Sequence, residues 1–586
     1  MFEKRNKEIE KSIQKVLKDH SIPILDIKWS WIPFSGHWGK SMSFYRTAAE
    51  ESRIGKNVII KKRAAEIANF VAERIVLPDG FEKCESVKGY LNIYYKSSDF
   101  ARLVVDSVLS KKEQYGSGLR THKLIMVEFS QPNTHKAFHV GHLRNMVIGD
   151  AVSNILEFAG NKIIRANYIG DIGLHVITWL WNYEKYHRGE QPPENDQIRW
   201  LGDLYAEAVK HREESLENKE EIKAYFKRWD KKDPEIISLW KKTRQWSLNA
   251  FDQIYNLLCI HFDRLYFESE VEEEGKRLVG KLIEEGIAKD ERPEKPVVVY
   301  LDKLLGTDDE YRVLVLLRSD GTSLYSSKDL PLAIRKFQEY ELDRSIYVID
   351  VRQSLYLKQI FKVLELMGYQ WAKKCYHLAY EIVNLPGNVT IASREGTVVL
   401  LGDLIREAKQ RALNIVEKKN PDLDKNQKIF IANVVALGAI KFSLLSRDNT
   451  KIVTFNWETA MNINGQAAPY VQYAAVRANS ILKKASVVLP ESEEIEFELE
   501  KNEIELIDLI SRFPHEVKRA AEELRPLFIS NYVYELAKAF NDFYTNCPVL
   551  KADRKRRDFR LRLVTASKQT IANSLALLGI KIPQKM

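Results

Sequence analysis

Cysteine is scarce in this chain, and its spacing argues against two classes of site. The four residues, Cys84, Cys259, Cys375 and Cys547, lie far apart among 586 residues. No two of them have the short separation typical of zinc ligands, and so few thiols cannot build a dense disulfide framework. We therefore expect neither a zinc site nor a disulfide-rich fold, and no metal site built by the protein itself.

Long apolar runs and a strong charge of one sign are also missing. No run approaches the ~20 apolar residues that span a bilayer. The first residues, MFEKRNKEIEKSIQKVL, carry acids from position 3 and resemble neither a secretory signal nor a transit peptide. The formal charge of 90 − 81 = +9 is modest and permits nucleic-acid binding without requiring it. We expect a cytoplasmic protein without a membrane segment.

The overall composition is that of a folded protein with several domains. Hydrophobic residues make up 45% and charged residues 29% of the chain, which is typical of globular proteins. A length of 586 residues is too great for one hydrophobic core.

The most informative stretch is Val127–Asn145, with the sequence VEFSQPNTHKAFHVGHLRN. The apolar run Leu124–Phe129 predicts a buried strand, and the loop after it contains proline and asparagine. A helical pattern then continues to a stop signal at Gly160. The run Lys162–Tyr168 predicts a second strand, so the stretch indicates a β-α-β unit with two histidines where the first strand passes into its helix.

Those histidines lie where nucleotide chemistry is favourable. A helix N-terminus offers free N–H groups and a positive dipole end to a phosphate. Gly141 leaves room for a flat purine, and His139 and His142 are suited to donate hydrogen bonds to a triphosphate. The alternative is a surface loop with incidental histidines.

The remaining pattern outlines the other parts of the chain. The first part reads as α+β, with helices over Glu3–Leu17, Ala64–Ile75 and Ser98–Leu109 and strands over Ile22–Trp31 and Gly89–Tyr95. Residues 182–290 read as mostly helical. Strands alternating with helices then predict that a parallel α/β sheet is rebuilt from Val297–Leu301, Tyr311–Leu317, Ser345–Asp350 and His377–Val383. From Leu401 onwards the pattern is helical.

HVGH resembles the HIGH signature of class I aminoacyl-tRNA synthetases, and the longer stretch around it resembles the arginyl-tRNA synthetases. The resemblance covers nearly the whole chain and is weakest in the first hundred residues. It continues in order at Asn167–His175 (NYIGDIGLH), Asp233–Phe262, Tyr325–Asp329, Asp350–Gln353, Ser446–Asp448, Ala468–Arg477 (APYVQYAAVR) and Ala576–Met586.

This resemblance implies an architecture. The fold would be an α/β Rossmann-type catalytic domain with a helical insertion, an N-terminal α+β domain and a C-terminal all-α anticodon-binding domain. The expected boundaries are 1–115 for the N-terminal domain that holds the outer corner of the tRNA, 116–181 and 291–405 for the two halves of the catalytic domain, 182–290 for the insertion, and 406–586 for the anticodon-binding domain.

The resemblance also implies a reaction. Such an enzyme activates L-arginine with ATP to arginyl-adenylate and transfers the arginyl group to the 3′ end of tRNA(Arg), and members of the family generally need tRNA for the activation step. Magnesium would accompany ATP without a dedicated protein site, in keeping with its preference for waters and phosphates. We expect a monomer.

Arginine recognition requires carboxylates placed for a planar cation, with neutral acceptors around them. Glu128 lies in an apolar strand, where an acid is costly unless it is paired. Tyr325 and Asp329 share a helical face, and Gln353 follows the end of a strand. The resemblance carries Glu128, Ser130 and Asn133 over as contacts of the α-amino end, Asp329 as the guanidinium ligand, and Tyr325 and Gln353 as residues that close the site.

A second signature of class I synthetases, KMSKS, is degenerate here. The matching stretch Ile391–Thr397 reads IASREGT, with Glu395 where many relatives have lysine and Arg394 as its remaining cation. Arginyl enzymes without the loop lysine tend to have one just before HIGH, and Lys136 fits that place. The catalytic set is therefore His139, His142, Lys136 and Arg394, and the ATP contacts are His139, Gly141, His142 and Lys136.

For the nucleic-acid partner, Tyr470, Tyr473 and Arg477 have helical spacing that suits base stacking and a phosphate contact. The tyrosines are equally compatible with a helix core. The stretch Lys551–Arg562 holds seven Lys or Arg residues against two Asp, and reads equally as a basic patch or a solvated helical face.

Three alternatives remain. A cysteinyl synthetase would need a zinc site, for which the cysteine spacing is wrong. A small nucleotidylyltransferase with HxGH would leave the long helical C-terminus unexplained. A non-catalytic tRNA-binding paralogue would be expected to have lost HVGH or the pocket acids, and both are intact.

Overall fold

The computed structural model describes residues 3–32, 37–385, 389–390 and 400–586. The chain divides into two compact units. The first contains residues 1–116, 473–515 and 532–573, and the second contains residues 117–472, 516–531 and 574–586.

The N-terminal part of the first unit has the predicted α+β character. Its elements are α1 Glu3–Asp19, β1 Ser30–Trp31, β2 Gly39–Ser43, α2 Tyr45–Arg53, α3 Ile60–Arg74, β3 Phe81–Val87, β4 Tyr90–Tyr95 and α4 Ser97–Lys111. The strands form an antiparallel sheet in the order β1-β2-β4-β3. The predicted strand Ile22–Trp31 is wrong over most of its length, because strand pairing begins at Ser30. Its apolar residues Ile22, Ile27 and Trp29 instead pack into the local core.

The second unit contains the β-α-β unit predicted from the central stretch. Its elements are β5 Leu124–Glu128, α5 Val140–Phe158, β6 Lys162–Ile169, α6 Leu174–Tyr186, α7 Gln197–Glu214, α8 Leu216–Asp230, α9 Pro234–Leu258, β7 Arg264–Phe267, α10 Glu268–Glu284, β8 Lys289–Asp290, β9 Val297–Tyr300, α11 Leu301–Leu305, β10 Val313–Leu317, α12 Tyr325–Glu339, β11 Arg344–Asp350, α13 Ser354–Leu366, β12 Cys375–Tyr380, β13 Val383–Leu385, β14 Val389–Thr390, α14 Leu401–Lys419, α15 Lys425–Leu445, β15 Val453–Thr454 and α16 Trp457–Ala460.

Four long helices follow, as the pattern predicts. They are α17 Ala468–Ala485, α18 Lys501–Glu523, α19 Leu527–Asn546 and α20 Arg554–Leu577. Their residues are divided between the two units.

The central sheet is parallel throughout and has the strand order β12-β11-β5-β6-β7. β5 lies in its middle, which explains its continuous apolar sequence, because such a strand is covered on both faces. Glu128, the last residue of β5, pairs in register with Tyr347 of β11 and Ala166 of β6. Its side chain therefore lies at the carboxyl end of the sheet, where α/β folds bind ligands.

Two strands that were expected in this sheet form another one. β9 and β10 pair antiparallel with each other and, through β9, with β8, in the separate order β10-β9-β8. This sheet packs in a core with α10, α12 and α13. A short apolar run predicts a strand but carries no information about its partner, so the error lies in the pairing.

The segment 182–290, expected to be mostly helical, also contains two strands, β7 and β8. β7 pairs parallel with β6 and lies at one edge of the central sheet. At four residues it is too short to show a period against the charged helices around it.

One helix has the length and composition of a membrane span, although its sequence is interrupted by Lys428 and Lys441. α15 is 21 residues long and apolar enough to span a membrane by length and composition. Two thirds of its most apolar window, 67%, is buried inside the structure, as in the core helix of a globular fold. We conclude that its apolarity serves packing.

Candidate active site

A cavity of about 740 Å³ opens at the carboxyl ends of β5, β6 and β11. It brings together nine of the residues singled out from the sequence: Glu128, Ser130, Asn133, His139, Gly141, His142, Tyr325, Asp329 and Gln353. Lys136 is not among the lining residues, and Arg394 lies outside the described residues, as does the whole stretch 391–397.

The loop between β5 and α5 is held in an unusual conformation. Ser130 and Gln131 have φ values of +78° and +48°, in the left-handed region. The Ser130 amide donates to Asn145 Oδ1 at 2.5 Å, and its hydroxyl lies 2.8 Å from the Tyr255 hydroxyl. Strain of this kind persists where surrounding contacts fix it, and it is common at ligand sites.

The two signature histidines cap the first turn of α5. The Gly141 amide donates to His139 Nδ1 at 3.1 Å, and the His139 amide donates to His142 Nδ1 at 3.2 Å. Because both Nδ1 atoms accept, each neutral imidazole must carry its proton on Nε2. The histidines thus keep an N–H donor each for a ligand at the helix N-terminus.

Both imidazoles are neutral at physiological pH. Burial, with the nearby charges of Arg352 and Lys136, lowers the pKa of His139 to about 4. Burial, with His139 and Lys136, lowers the pKa of His142 well below its usual value. They can therefore donate hydrogen bonds to developing negative charge but do not carry a permanent charge.

The His139 imidazole leaves no room for a side chain at Gly141. A Cβ at this position would lie 2.9 Å from two ring atoms of His139. Any side chain would displace the imidazole, so the glycine preserves the geometry of the cap as well as room in the cavity.

Glu128 is paired by a lysine that the sequence did not reveal. Glu128 and Lys336 form an ion pair in which the lysine side chain is fully buried. Gln131 Nε2 also donates to Glu128 Oε1 at 3.1 Å. Lys336 lies two turns after Asp329 on the same side of α12, and a lysine among the apolar residues of a helix was the available signal.

Asp329 is the carboxylate best placed for a cationic ligand. It lines the cavity from the first turns of α12, and the Tyr356 hydroxyl donates to its Oδ2 at 2.5 Å. Burial, with a smaller contribution from Glu128, raises its pKa to about 6, although Tyr356, Lys336 and Lys328 oppose the rise. A bound cation would offset the desolvation that this carboxylate suffers.

A third carboxylate, Glu268, was not predicted. It begins α10, lines the cavity, and accepts from Lys328 Nζ at 3.1 Å. Burial raises the pKa of Glu268 to about 7 even with Lys328 beside it. The segment 182–290 was read as an insertion of charged helices, in which no single acid stands out.

Two cations approach the histidines. The Lys136 ammonium lies 4.8 Å from the centre of the Tyr205 ring. Arg352 lines the cavity and makes two hydrogen bonds to Asp350, each of 2.8 Å. The charges of both residues lower the pKa of His139.

Arg144, on α5 one residue before Asn145, holds two backbone segments that pack beside this helix. Its buried guanidinium donates to five backbone carbonyls, those of Glu381, Ile382, Asp448, Asn449 and Lys451. It ties α5 to the segments that lead into β13 and β15. A buried arginine that donates to carbonyls through both terminal nitrogens is a structural anchor, which the sequence could not distinguish from a ligand contact.

The residues expected to contact tRNA lie on α17. Within the first unit, the Arg477 guanidinium lies 4.7 Å from the Tyr473 ring centre and 4.9 Å from that of Tyr544, and Nη1 donates to Asn541. Tyr473 is 38% exposed, which differs from a core residue. Tyr470, on the same helix, is half-buried.

Two arginines of the basic stretch Lys551–Arg562 form ion pairs within the protein. Arg560 is buried against Glu503 and Glu500, and Arg562 contacts Asp106. These arginines contribute to folding of the first unit, so the stretch is not simply a basic surface.

Two described families match consecutive parts of this chain. Residues 104–457 match the family described as "tRNA synthetases class I (R), catalytic domain", and residues 471–586 match the "DALR anticodon binding domain". An arginine–tRNA ligase of Alkaliphilus metalliredigens is 33% identical over 530 residues, which is 90% of this chain and 91% of that protein. One from Treponema denticola is 34% identical over 546 residues, 90% of each chain.

Solved structures extend the similarity to the whole fold. The arginyl-tRNA synthetase of Thermus thermophilus superimposes with a TM-score of 0.75 at 27% identity, covering 99% of this chain and 100% of that one. The catalytic-domain match, the anticodon-binding match and the near-complete coverage are mutually consistent. This chain belongs to the arginyl-tRNA synthetase family of class I aminoacyl-tRNA synthetases.

Proposed function

We propose that this chain activates L-arginine with ATP and transfers the arginyl group to the 3′ end of tRNA(Arg). The observation that carries the proposal is one cavity with a half-buried carboxylate, Asp329, and a capped helix N-terminus with two neutral histidine donors, His139 and His142. The test is aminoacylation of bulk tRNA with each of the twenty amino acids. Arginine alone should be attached, and a different amino acid, or none, would refute the proposal.

The arginine contacts are divided between the two ends of the amino acid. The guanidinium is proposed to lie on Asp329, with Tyr325 and Gln353 closing the site and Glu268 nearby. Glu128, Ser130 and Asn133 are proposed to hold the α-amino end. A planar cation with several donors suits a pocket with several oxygen acceptors.

The nucleotide is proposed to lie over the N-terminus of α5. In the first step an arginine carboxylate oxygen attacks the α-phosphorus of ATP, and the bond to the bridging oxygen breaks so that pyrophosphate leaves. In the second step a hydroxyl of the terminal ribose of tRNA attacks the acyl carbon, and AMP leaves. Neither step needs a protein nucleophile, so His139 and His142 act by donating hydrogen bonds from Nε2 to the charge that develops.

Magnesium is proposed to arrive with ATP. Within the described ranges, no group of three or more His, Cys, Asp and Glu side chains is arranged to hold a metal ion. Asp350, a carboxylate that lines the cavity, is paired with Arg352. Such a donor set suits a magnesium ion that is held by phosphates and waters.

Lys136→Ala should lower kcat for arginine activation by about 100-fold, the scale for one lost donor to developing charge. The basis is the position of Lys136 beside the two histidines, whose pKa values it helps to lower. The measurement is ATP–pyrophosphate exchange with tRNA present. Replacing Glu395 with lysine in the Lys136→Ala background should restore part of the rate.

The matched control is Lys242→Ala, because Lys242 also lies over an aromatic ring, that of Trp246 at 5.2 Å, on the helical segment. Its activity should stay near that of the wild type. A fully active Lys136→Ala enzyme, or a defect confined to tRNA binding, would remove Lys136 from the phosphate side.

The tRNA is proposed to be held at both ends of the chain. We assign residues 1–115 to the outer corner of the tRNA and residues 406–586 to the anticodon arm, with 116–181 and 291–405 as the catalytic halves and 182–290 as the insertion between them. We also propose a cytoplasmic monomer, which light scattering of the purified protein would test.

Arg477→Met should raise the KM for tRNA by roughly tenfold while leaving arginine KM unchanged, since a stacked guanidinium contributes about 1 kcal/mol or more to such contacts. Tyr470→Ala tests the second position on the helix. The measurement is aminoacylation kinetics with tRNA varied. Arg228→Met, which removes a guanidinium 5.7 Å from the Tyr225 ring in the helical segment, is the control. Unchanged tRNA KM in both test variants would favour a purely structural role for α17.

The alternative proposal, a tRNA-binding paralogue without catalysis, predicts tight tRNA binding and no arginyl-adenylate. Intact histidine caps and an intact carboxylate pocket count against it. Detection of AMP formation that depends on arginine and tRNA would exclude it.

A further inference from the structure

Two lysines are buried against two of the carboxylates that line the cavity. Lys336 pairs with Glu128 and Lys328 pairs with Glu268. Both lysines belong to α12, the helix that also carries Asp329. Lysines are rarely buried, so two on one helix beside a ligand cavity require an explanation.

Lys336 is the more deeply enclosed of the two. Its side chain is fully buried, and its ammonium lies 4.2 Å from the centre of the Tyr347 ring and 5.9 Å from that of Tyr266. The aromatic faces and the Glu128 carboxylate together compensate the desolvated charge. Lys336 itself does not line the cavity, so it acts on a ligand through Glu128.

The charged groups that act on Asp329 come from three elements. β5 supplies Glu128, α10 supplies Glu268, and α12 supplies Lys328 and Lys336. Hydroxyls face the same space from Tyr168, Tyr325, Tyr347 and Tyr356. Asp171 also faces Glu268, but Arg244 pairs with it at 2.8 Å.

The formal sum of these groups is one negative charge. Glu128 is compensated by Lys336 and Glu268 by Lys328, whereas the described residues provide Asp329 with a tyrosine hydroxyl and no ion pair. One guanidinium would make the pocket electrically neutral. A second uncompensated carboxylate at this depth would instead repel Asp329 and draw a proton into the site.

We propose that Lys336 is a positioning residue that holds the charge of Glu128 and so leaves Asp329 as the one carboxylate that a bound guanidinium must compensate. The inference rests on the proposed function of this cavity as the arginine site. Lys336 would then contribute to specificity for arginine although it does not line the cavity. Lys336 would match the net charge of the pocket to a monocationic side chain.

The consequence is a specific dependence on pH. In the wild type, arginine binds best when Asp329 and Glu268 are ionised, so kcat/KM for arginine should rise with pH through a midpoint between their pKa values of about 6 and about 7. Without Lys336, Glu128 and Asp329 become two like charges in one buried site. The pair then holds a proton to higher pH, and arginine binding has to displace that proton.

The experiment measures kcat/KM for arginine in aminoacylation, with saturating ATP and tRNA, from about pH 5.5 to about pH 8.5. Lys336→Met should move the midpoint upward by about one pH unit or more, so that kcat/KM falls about tenfold at the acid end of the range and recovers at the alkaline end. Lys336→Arg should keep the wild-type midpoint. Glu128→Gln/Lys336→Met removes both charges and should return the midpoint to that of the wild type, even if its plateau is lower.

The matched control is Lys441→Met. Lys441 is a buried lysine on α15 that donates to the carbonyls of Leu258 and Gly579 and faces Asp150 at 3.8 Å, away from the cavity lining. Its loss should destabilise the protein without moving the midpoint. This separates the loss of a buried lysine as such from the loss of charge balance in the pocket.

A merely structural role for Lys336 would give a change in KM that is uniform across pH. An unmoved midpoint in Lys336→Met, a changed midpoint in Lys336→Arg, or a double variant that keeps the raised midpoint would each overturn the proposal. If Lys336→Met does not fold, the midpoints of Lys336→Arg and of Glu128→Gln/Lys336→Met decide whether the proposal holds. Failure of the wild type to charge arginine would instead refute the proposed function.

Discussion

Asp329→Asn is expected to raise the KM for arginine by roughly 100-fold or more, on the scale of the 2–5 kcal/mol lost when one partner of a buried charge pair is removed. Asparagine keeps the shape of the side chain and can still accept from Tyr356. The guanidinium would, however, be buried beside a neutral amide, with its charge uncompensated. The measurement is arginine-dependent aminoacylation with tRNA and ATP saturating.

The same substitution should stabilise the enzyme without ligands. Burial raises the Asp329 pKa from 3.8 to about 6, so this group favours the folded state below pH 3.8 and that contribution is lost as pH rises through about 6. Relative to the protonated group, the ionised carboxylate therefore lowers the free energy of unfolding by about 3 kcal/mol at neutral pH. Each tenfold change in proton affinity corresponds to about 1.36 kcal/mol. Asp329→Asn removes this cost, and the Tm of the apo protein should rise.

A variant with weaker arginine binding and a higher Tm would identify Asp329 as a ligand residue, because a carboxylate kept for function lowers the stability of the folded protein. Asp309→Asn is the control, since Asp309 is 73% exposed and should change neither quantity. If arginine KM is unchanged in a folded Asp329→Asn enzyme, the guanidinium lies elsewhere in the cavity. Lower apo stability would show that the carboxylate is already compensated.

His139→Ala and His142→Ala should each lower kcat for activation by about 10²–10³-fold, as when one donor to developing charge is removed. Arginine KM should change much less, because the donors act on the phosphate charge of the transition state. The measurement is ATP–pyrophosphate exchange with tRNA present. His261→Ala, at an exposed position near the end of α9, should leave the rate unchanged.

The pH profile adds an independent check on the same histidines. Because burial keeps both imidazoles neutral, with the pKa of His139 at about 4, neither should titrate between about pH 6 and about pH 8. A kcat profile governed by a group with an ordinary histidine pKa would contradict the neutral-donor assignment. Equal turnover in wild type and alanine variants would exclude a catalytic role altogether.

Short-range features were predictable from the sequence. Apolar runs, Gly160 as a helix stop and the spacing after His142 predict β5, α5 and β6 nearly as the structure has them. The placement of both histidines at the start of α5 follows from the same local signals. Where the resemblance added distant motifs, nine named residues proved to line one cavity.

Pairing of distant segments was not predictable in the same way. β9 and β10 have the composition of buried strands, but whether such a strand joins a parallel sheet or forms an antiparallel one depends on which neighbour reaches it. β7 was not predicted for a related reason. Its four residues form a strand because they pair with β6 at the edge of the sheet.

Local sequence signals predicted the β-α-β unit and placed two histidines at the start of its helix, and the resemblance added the other residues that we propose to bind the nucleotide and the arginine. Only the tertiary structure decided how their charges are balanced. The pairs Glu128–Lys336 and Glu268–Lys328 join residues far apart in the chain, and each exists because α12 packs beside the carboxyl end of the central sheet and the start of α10. Periodicity reports which side of an element is buried, whereas the net charge of a pocket depends on which buried sides meet.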